Sequence, residues 1–126
     1  MATLTQNIYN ILTQELSLSV PNIYAGFAKG DTSARDGLLT YFLLPSPGTD
    51  FASGTTNSQY QFDIWHQDIY EAEAYKEELV KALSGTAGWY DGKPLIFSMI
   101  SDLGGLYEDE GNVWHYPTIF NIKWVR

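Results

Sequence analysis

Residues 58–85, SQYQFDIWHQDIYEAEAYKEELVKALSG, change hydrophobic period halfway along. Up to Trp65 the large apolar side chains alternate, as on a half-buried strand; from Ile69 they recur at helical spacing,. Alternation assigns Tyr60, Phe62 and Ile64 to the core face and Gln61, Asp63 and Trp65 to the other,. Asp68 followed by Glu71 predicts a capping box, with the acidic side chain suited to the positive helix end. Ala72, Tyr75, Leu79, Val80 and Leu83 then form the buried stripe, and Gly85 supplies the stop,. The opposite helix face carries Glu73, Lys76, Glu77, Glu78 and Lys81, where Glu77 and Lys81 are spaced for an exposed pair,. A strand that runs straight into a helix, each apolar on one side, must lay that helix across a sheet.

The flanking segments supply the rest of the sheet. Leu4, Ile8, Leu12 and Leu16, with Ile11 beside them, predict a first helix of three to four turns, capped by Thr3 or Thr5 and ended before Pro21,. NIYAGF reads as a short strand and KGDTSARDG as a turn; LLTYFLLP, Leu38 to Pro45, reads as a central strand covered on both faces,. SPGTDFASGTTN, residues 46–57, has loop composition, and Phe51 stands alone in it,. Asp91 and Gly92 mark a turn before a strand from Leu95 to Ile100,. A closing hairpin turns at EDEGN and runs extended from Val113 to Val125, with Pro117 marking a bulge or an edge,. The order of elements predicts an α+β fold: a single domain, residues 1–126, with a mostly antiparallel sheet and two helices packed on one face.

Chemistry is sparse. The chain has no cysteine, which removes disulfides, thiolate nucleophiles and sulfur-ligated metals,. Fifteen Asp and Glu against seven Lys and Arg give a net charge of -8. The cations are scattered, so phosphate backbones and anionic membranes are repelled rather than gripped. The N-terminus lacks a secretory pattern and no segment approaches about 18 uninterrupted apolar residues, which predicts a soluble protein. His66 and His115 lie in separate strands, and alternation sets Asp63 on the face opposite His66, against a shared metal site,. Glu108, Asp109 and Glu110 are adjacent but lack the ligand spacing of a calcium loop, so they read as a solvated hairpin tip,. Gly104 and Gly105 lack the lysine and helix start of a phosphate loop, and no Ser sits in a nucleophile elbow,. Neither catalytic residues, a metal nor a cofactor is expected, and the chain is not expected to be an enzyme.

Aromatics are in surplus. Trp65, Trp89, Tyr90, Trp114, Tyr116 and Trp124 are too many for the interior of so small a domain, and exposed Trp and Tyr are enriched at protein contacts,. Phe51, Trp65, Trp89 and Tyr90 are therefore candidate interface residues.

The helix NIYNILTQEL, the strand TYFLLP, the unit YQFDIWHQDIYEAEAYKEELVKAL and the hairpin GLYEDEGNVWHYPTIFNIKWV together resemble the tail-completion or tail-terminator proteins of long-tailed bacteriophages, including those at the tail-to-head joint. The resemblance spans most of the chain through patterns rather than invariant signatures. It implies a non-enzymatic virion-tail subunit, assembled in the bacterial host cytoplasm. Such a subunit forms a ring, commonly hexameric, on the end of the tail tube, halts its polymerisation and joins it to the head. The implied partners are other copies of the chain, the tail tube protein and head connector proteins, with DNA only as passing cargo and no membrane. On that reading Glu108, Asp109 and Glu110 line the channel or stand at an exposed acidic tip, and Phe51 contacts a neighbouring subunit or the tube. Two other readings remain: a head-tail connector or minor capsid subunit, and a small-ligand-binding or enzymatic α+β domain with His66, His115 and carboxylates lining a pocket.

Overall fold

The computed structural model describes residues 3–26, 34–45, 49–50 and 54–125. Helix α1 (Leu4–Asn10) is followed by β1 (Asn22–Ala25), β2 (Leu38–Leu43), β3 (Thr49–Asp50), β4 (Thr55–His66), α2 (Ile69–Ala82), β5 (Gly85–Tyr90), β6 (Lys93–Asp102), β7 (Leu106–Glu108) and β8 (Val113–Val125). One eight-stranded sheet runs β1-β2-β4-β8-β6-β5, with β3 added to β4 and β7 added to β8. Among the described residues only β1 and β2 pair in parallel; the other pairings are antiparallel. The α+β expectation, with both helices on one face of a mostly antiparallel sheet, holds.

The core forms where the alternation of β4 meets the helical stripes. Tyr60, Phe62 and Ile64 stand opposite Phe120, Thr118 and Tyr116 of β8, and all point to the helix side. Ile8 of α1, Ile11 and Leu12 of the turn that continues it, and Ala72 and Leu79 of α2 with Leu83 at its end close over them. Two buried phenols fasten α1 to the sheet: the Tyr41 hydroxyl donates to the Thr5 carbonyl at 2.7 Å, and the Tyr60 hydroxyl shares a 2.7 Å bond with the Thr5 hydroxyl. Thr5 is thus a sheet anchor, and Thr3 is the cap, its side chain accepting from Gln6 N–H. Past Asn10 the turn widens, with Leu16 N–H reaching the Ile11 carbonyl at 2.8 Å. That turn lies directly on β5, where a Cβ on Gly88 would stand 2.6 Å from Ile11 Cδ1, so a larger residue there would have to displace the Ile11 side chain.

Three local expectations need correction and a fourth refinement. The segment 46–57 is not loop throughout: Thr49 and Asp50 pair with Asn57 and Thr56, and β4 begins at Thr55. β2 is not covered to its end, because its first four residues are buried but Phe42 and Leu43 are exposed past the last β1 pairing. Lys76 does not lie on the solvent face of α2. It is only 8% exposed, and its ammonium bonds to Glu77 at 2.8 Å and Asp102 at 2.9 Å, so Glu77 meets Lys76 where Lys81 was expected. Pro117 does not lie at an edge, but the register opposite it is irregular as a bulge would make it: the facing chain advances from Asp102 to Leu106 while β8 goes from Thr118 to His115, one residue fewer. It is in β8, flanked by β4 on one side and by β6 and β7 on the other. Its carbonyl accepts from Leu103 N–H, so its missing N–H faces the gap between β6, which pairs from Thr118, and β7, which pairs to His115. No ladder bond is lost there, which is why a central strand tolerates the ring.

The capping box is half made. Asp68 accepts from Tyr70 N–H at 2.9 Å, but its own N–H goes to Nδ1 of His66, also at 2.9 Å. His66 is therefore a structural histidine that steers the chain from strand to helix, its ring beside Tyr75.

Candidate assembly surface

The sheet face away from the helices is built by the odd residues of β4 and β8. Trp65 pairs with His115 and Asp63 with Pro117, so the register brings Asp63 and His115 together although 52 residues separate them. Nε2 of His115 lies 2.7 Å from Oδ1 of Asp63 and Nδ1 lies 3.0 Å from Oε1 of Glu108. Both ring nitrogens face carboxylates, so a ring protonated at both nitrogens, donating to each, fits this geometry,. Burial opposes that charge, but the hydrogen bonds and negative charge of Asp63, then of Glu108, outweigh it and hold the His115 pKa above the ordinary histidine value,. Gln61 donates to the same Asp63 oxygen at 2.9 Å. Trp65 lies flat on the His115 ring, centroids 4.5 Å apart and planes 14° apart,.

This cluster forms a clasp. Both ring nitrogens of His115 are engaged by carboxylates, and the described residues contain no group of three or more metal-ligating side chains. His66 stands on the helix side of β4 and His115 on the other, so the two cannot line one pocket. What the clasp does is fasten β7. That strand has only three residues, all exposed, and it holds to β8 through its ladder, the Glu108 bond and the Tyr107 ring against Trp114 at 5.2 Å.

The sequence-derived candidates fall in different places. Trp65 is partly buried in the clasp. Trp89 is 59% exposed on β5, its carbonyl accepting from the Asn7 side chain at 2.8 Å. Tyr90 is partly buried edge-on to Trp124. Glu108 ends β7 and turns back to His115, while Asp109 and Glu110 occupy the exposed turn. Phe51 lies outside the described residues.

Sequence reasoning missed a second feature. Met99, Ile100, Leu103, Leu106 and Tyr107 are each 45–54% exposed along the end of β6 and β7, and Phe42 and Leu43 are 38% and 54% exposed at the end of β2. Each lies where a neighbouring strand stops short: β5 pairs β6 no further than Phe97, and β1 pairs β2 no further than Tyr41. The residues were visible in the sequence as apolar, but their exposure depends on strand lengths that only the pairing reveals.

The arrangement defines a class: a small α+β protein whose curled sheet is covered by helices on one side only. No family model and no curated protein matches the chain. Among solved structures it is similar to a chain of the virion of a native gene transfer agent particle. The TM-score is 0.68, covering 95% of this chain and 92% of that one, at 13% sequence identity. At that identity the likeness is one of fold.

Proposed function

We propose that this chain is a structural subunit of a phage-like particle, and that within it the chain completes the tail. Copies form a ring at the end of the tail tube, stop its growth and offer a surface to the head. The observation that carries the reading is the mutual coverage, 95% and 92%, with a chain of a virion particle. The sequence resemblance to tail-completion proteins selects the tail within that class. The charge of -8 suits a channel that DNA crosses without sticking, because like charges do not adhere,.

Electron microscopy of particles assembled without this chain tests the assignment. Overlong tails are the expected result. Tails of normal length unattached to full heads would reassign the chain to the head-tail connector, and normal infectious particles would overturn both roles. A finer test concerns the exposed turn: replacing Asp109 and Glu110 by lysine should leave assembly intact and lower DNA delivery about tenfold if the turn faces the channel, since two reversed charges there attract phosphate. Unchanged infectivity would remove the turn from the channel. Glu108 is excluded from that test because it serves His115.

A further inference from the structure

Residues 105–112 stand between two firm points. Behind them Asp102 accepts from Lys76 at 2.9 Å and from the Gly104 N–H at 3.1 Å, and Leu103 N–H reaches the Pro117 carbonyl at 3.2 Å. Burial opposes the Lys76 charge, but its bonds to Glu77 and Asp102 outweigh that and raise its pKa, while the Lys76 bond lowers the pKa of Asp102. This anchor therefore stays charged through neutral pH. Ahead of them Val113 is 2% exposed and enters the long β8 ladder. Between these points β7 makes three pairings with β8, all its side chains exposed, and its turn closes on a long 3.4 Å bond from Asn112 N–H to the Asp109 carbonyl.

The tie in the middle is of another kind, because it depends on a proton. With both ring nitrogens of His115 protonated, Nδ1 holds Glu108 at 3.0 Å and Nε2 holds Asp63 at 2.7 Å. The two carboxylates are unequal: the Asp63 side chain is 4% exposed, that of Glu108 48%. A ring that gives up one proton keeps the one at the buried carboxylate, which has no water to replace its donor, and releases the one facing Glu108. Nδ1 then turns a lone pair toward a carboxylate, and two acceptors face each other where a bond had been. The charges acting on the ring are Asp63 from β4 and Glu108 from β7. Its neighbours on the same face of β8, Val113 and Pro117, are uncharged, as is Thr40 of β2, which stands beside Asp63. Asp109 and Glu110 follow Glu108 in the exposed turn. Once the cation is gone, Asp63, Glu108, Asp109 and Glu110 are left, all negative.

We propose that β7 is a strap held down by the doubly protonated His115 ring, and that loss of the Nδ1 proton lifts residues 105–112 from the β8 edge while the rest of the sheet stays paired. The lift breaks the contact of the Tyr107 ring with Trp114 and leaves the edge at Val113–His115 without its strand. An unpaired edge is the part of a sheet that accepts another strand, so the strap controls whether that edge is available. Burial lowers the His115 pKa, but Asp63 and then Glu108 raise it further, so the strap is down in acid and lifts as pH rises past a value above that of an ordinary histidine,. The strap is independent of the assignment to a virion tail and stands or falls without it.

NMR of the purified chain reads both halves of the proposal. Between pH 6 and pH 9 the titration of the His115 ring is followed together with the hydrogen-exchange protection of backbone amides, corrected for the intrinsic rise of exchange with pH. The β7 amides should lose about fivefold in protection in step with the ring, the worth of one charge-assisted bond to a half-exposed carboxylate, while the β4 amides keep theirs. Glu108→Gln is the decisive variant. Its amide accepts from a protonated Nδ1 and donates to a bare one, so its β7 protection should no longer follow pH. β7 protection that holds constant while His115 titrates, or that falls as much in Glu108→Gln, would overturn the strap. So would a ring that does not titrate in this range, or a loss shared by the β4 amides, which would mean that the sheet opens as a whole.

Discussion

Asp63→Asn is expected to lower unfolding free energy by about 3 kcal/mol at pH 6, and by clearly less at pH 9. The magnitude follows from leaving a buried charge without its partner, which costs far more than the intact pair contributes. Asp63 is 3% exposed, and the His115 side chain is 15% exposed, so water cannot replace the lost carboxylate. Glu108, with its side chain 48% exposed, remains bonded to the other nitrogen but is screened, and its removal alone should cost no more than about 1 kcal/mol,.

The pH dependence follows from the direction of the shift. The folded pKa of His115 is raised, so the folded state binds the proton more tightly than the unfolded chain does,. The stabilisation is complete below the unfolded value of about 6.5 and is lost as pH rises through the higher folded value. The gap between wild type and Asp63→Asn, measured by chemical denaturation from pH 5.5 to 9, must therefore narrow as pH rises. Groups that titrate alike in both proteins cancel in the difference. A gap independent of pH would mean that the ring is neutral in the folded protein and that the clasp is an ordinary hydrogen bond.

How far this site was legible in the sequence depends on which signal was local. Alternation placed Asp63 and Trp65 on the face opposite Tyr60 and Phe62, and Asp91-Gly92 named its own turn, with φ of 53° and 77°. The partners were not legible, because they are set by register. Asp63 meets His115 across 52 residues, and Lys76 meets Asp102 across 26. One usable signal was passed over: with Ile64 and Tyr116 both inward, pairing them puts Trp65 against His115 and brings Asp63 within reach of the same ring. Lys76 shows the opposite limit. A helical wheel puts it among glutamates, and only the arrival of the β6 end beside α2 encloses it. Pro117 was half legible: a proline within a strand calls for an edge or an irregular neighbour, and only the pairing shows that the neighbouring ladder breaks just where its N–H is missing,.

Phe62→Ala should be the most damaging truncation, costing about 4 kcal/mol and lowering the melting temperature by on the order of 15 °C. Phe62 has no exposed surface and lies at the meeting point of three strands. Its ring stacks on Tyr41 with centroids 5.7 Å apart and meets Phe120 edge-on at 5.5 Å. The cost has two parts: the lost burial with the cavity left behind, and the loss of two ring contacts that each contribute about 1 kcal/mol beyond area. The cavity cannot close easily, because Tyr41 is tied through its hydroxyl to Thr5 of α1 and cannot tilt into the space without breaking that bond. Phe62→Leu keeps most of the volume and should cost about 1–2 kcal/mol, which separates the cavity contribution from the ring contacts. Equilibrium denaturation of both variants makes the comparison. A loss below about 2 kcal/mol for the alanine variant would show that Tyr41 does move, and that α1 is held to the sheet less firmly than its two phenol bonds imply.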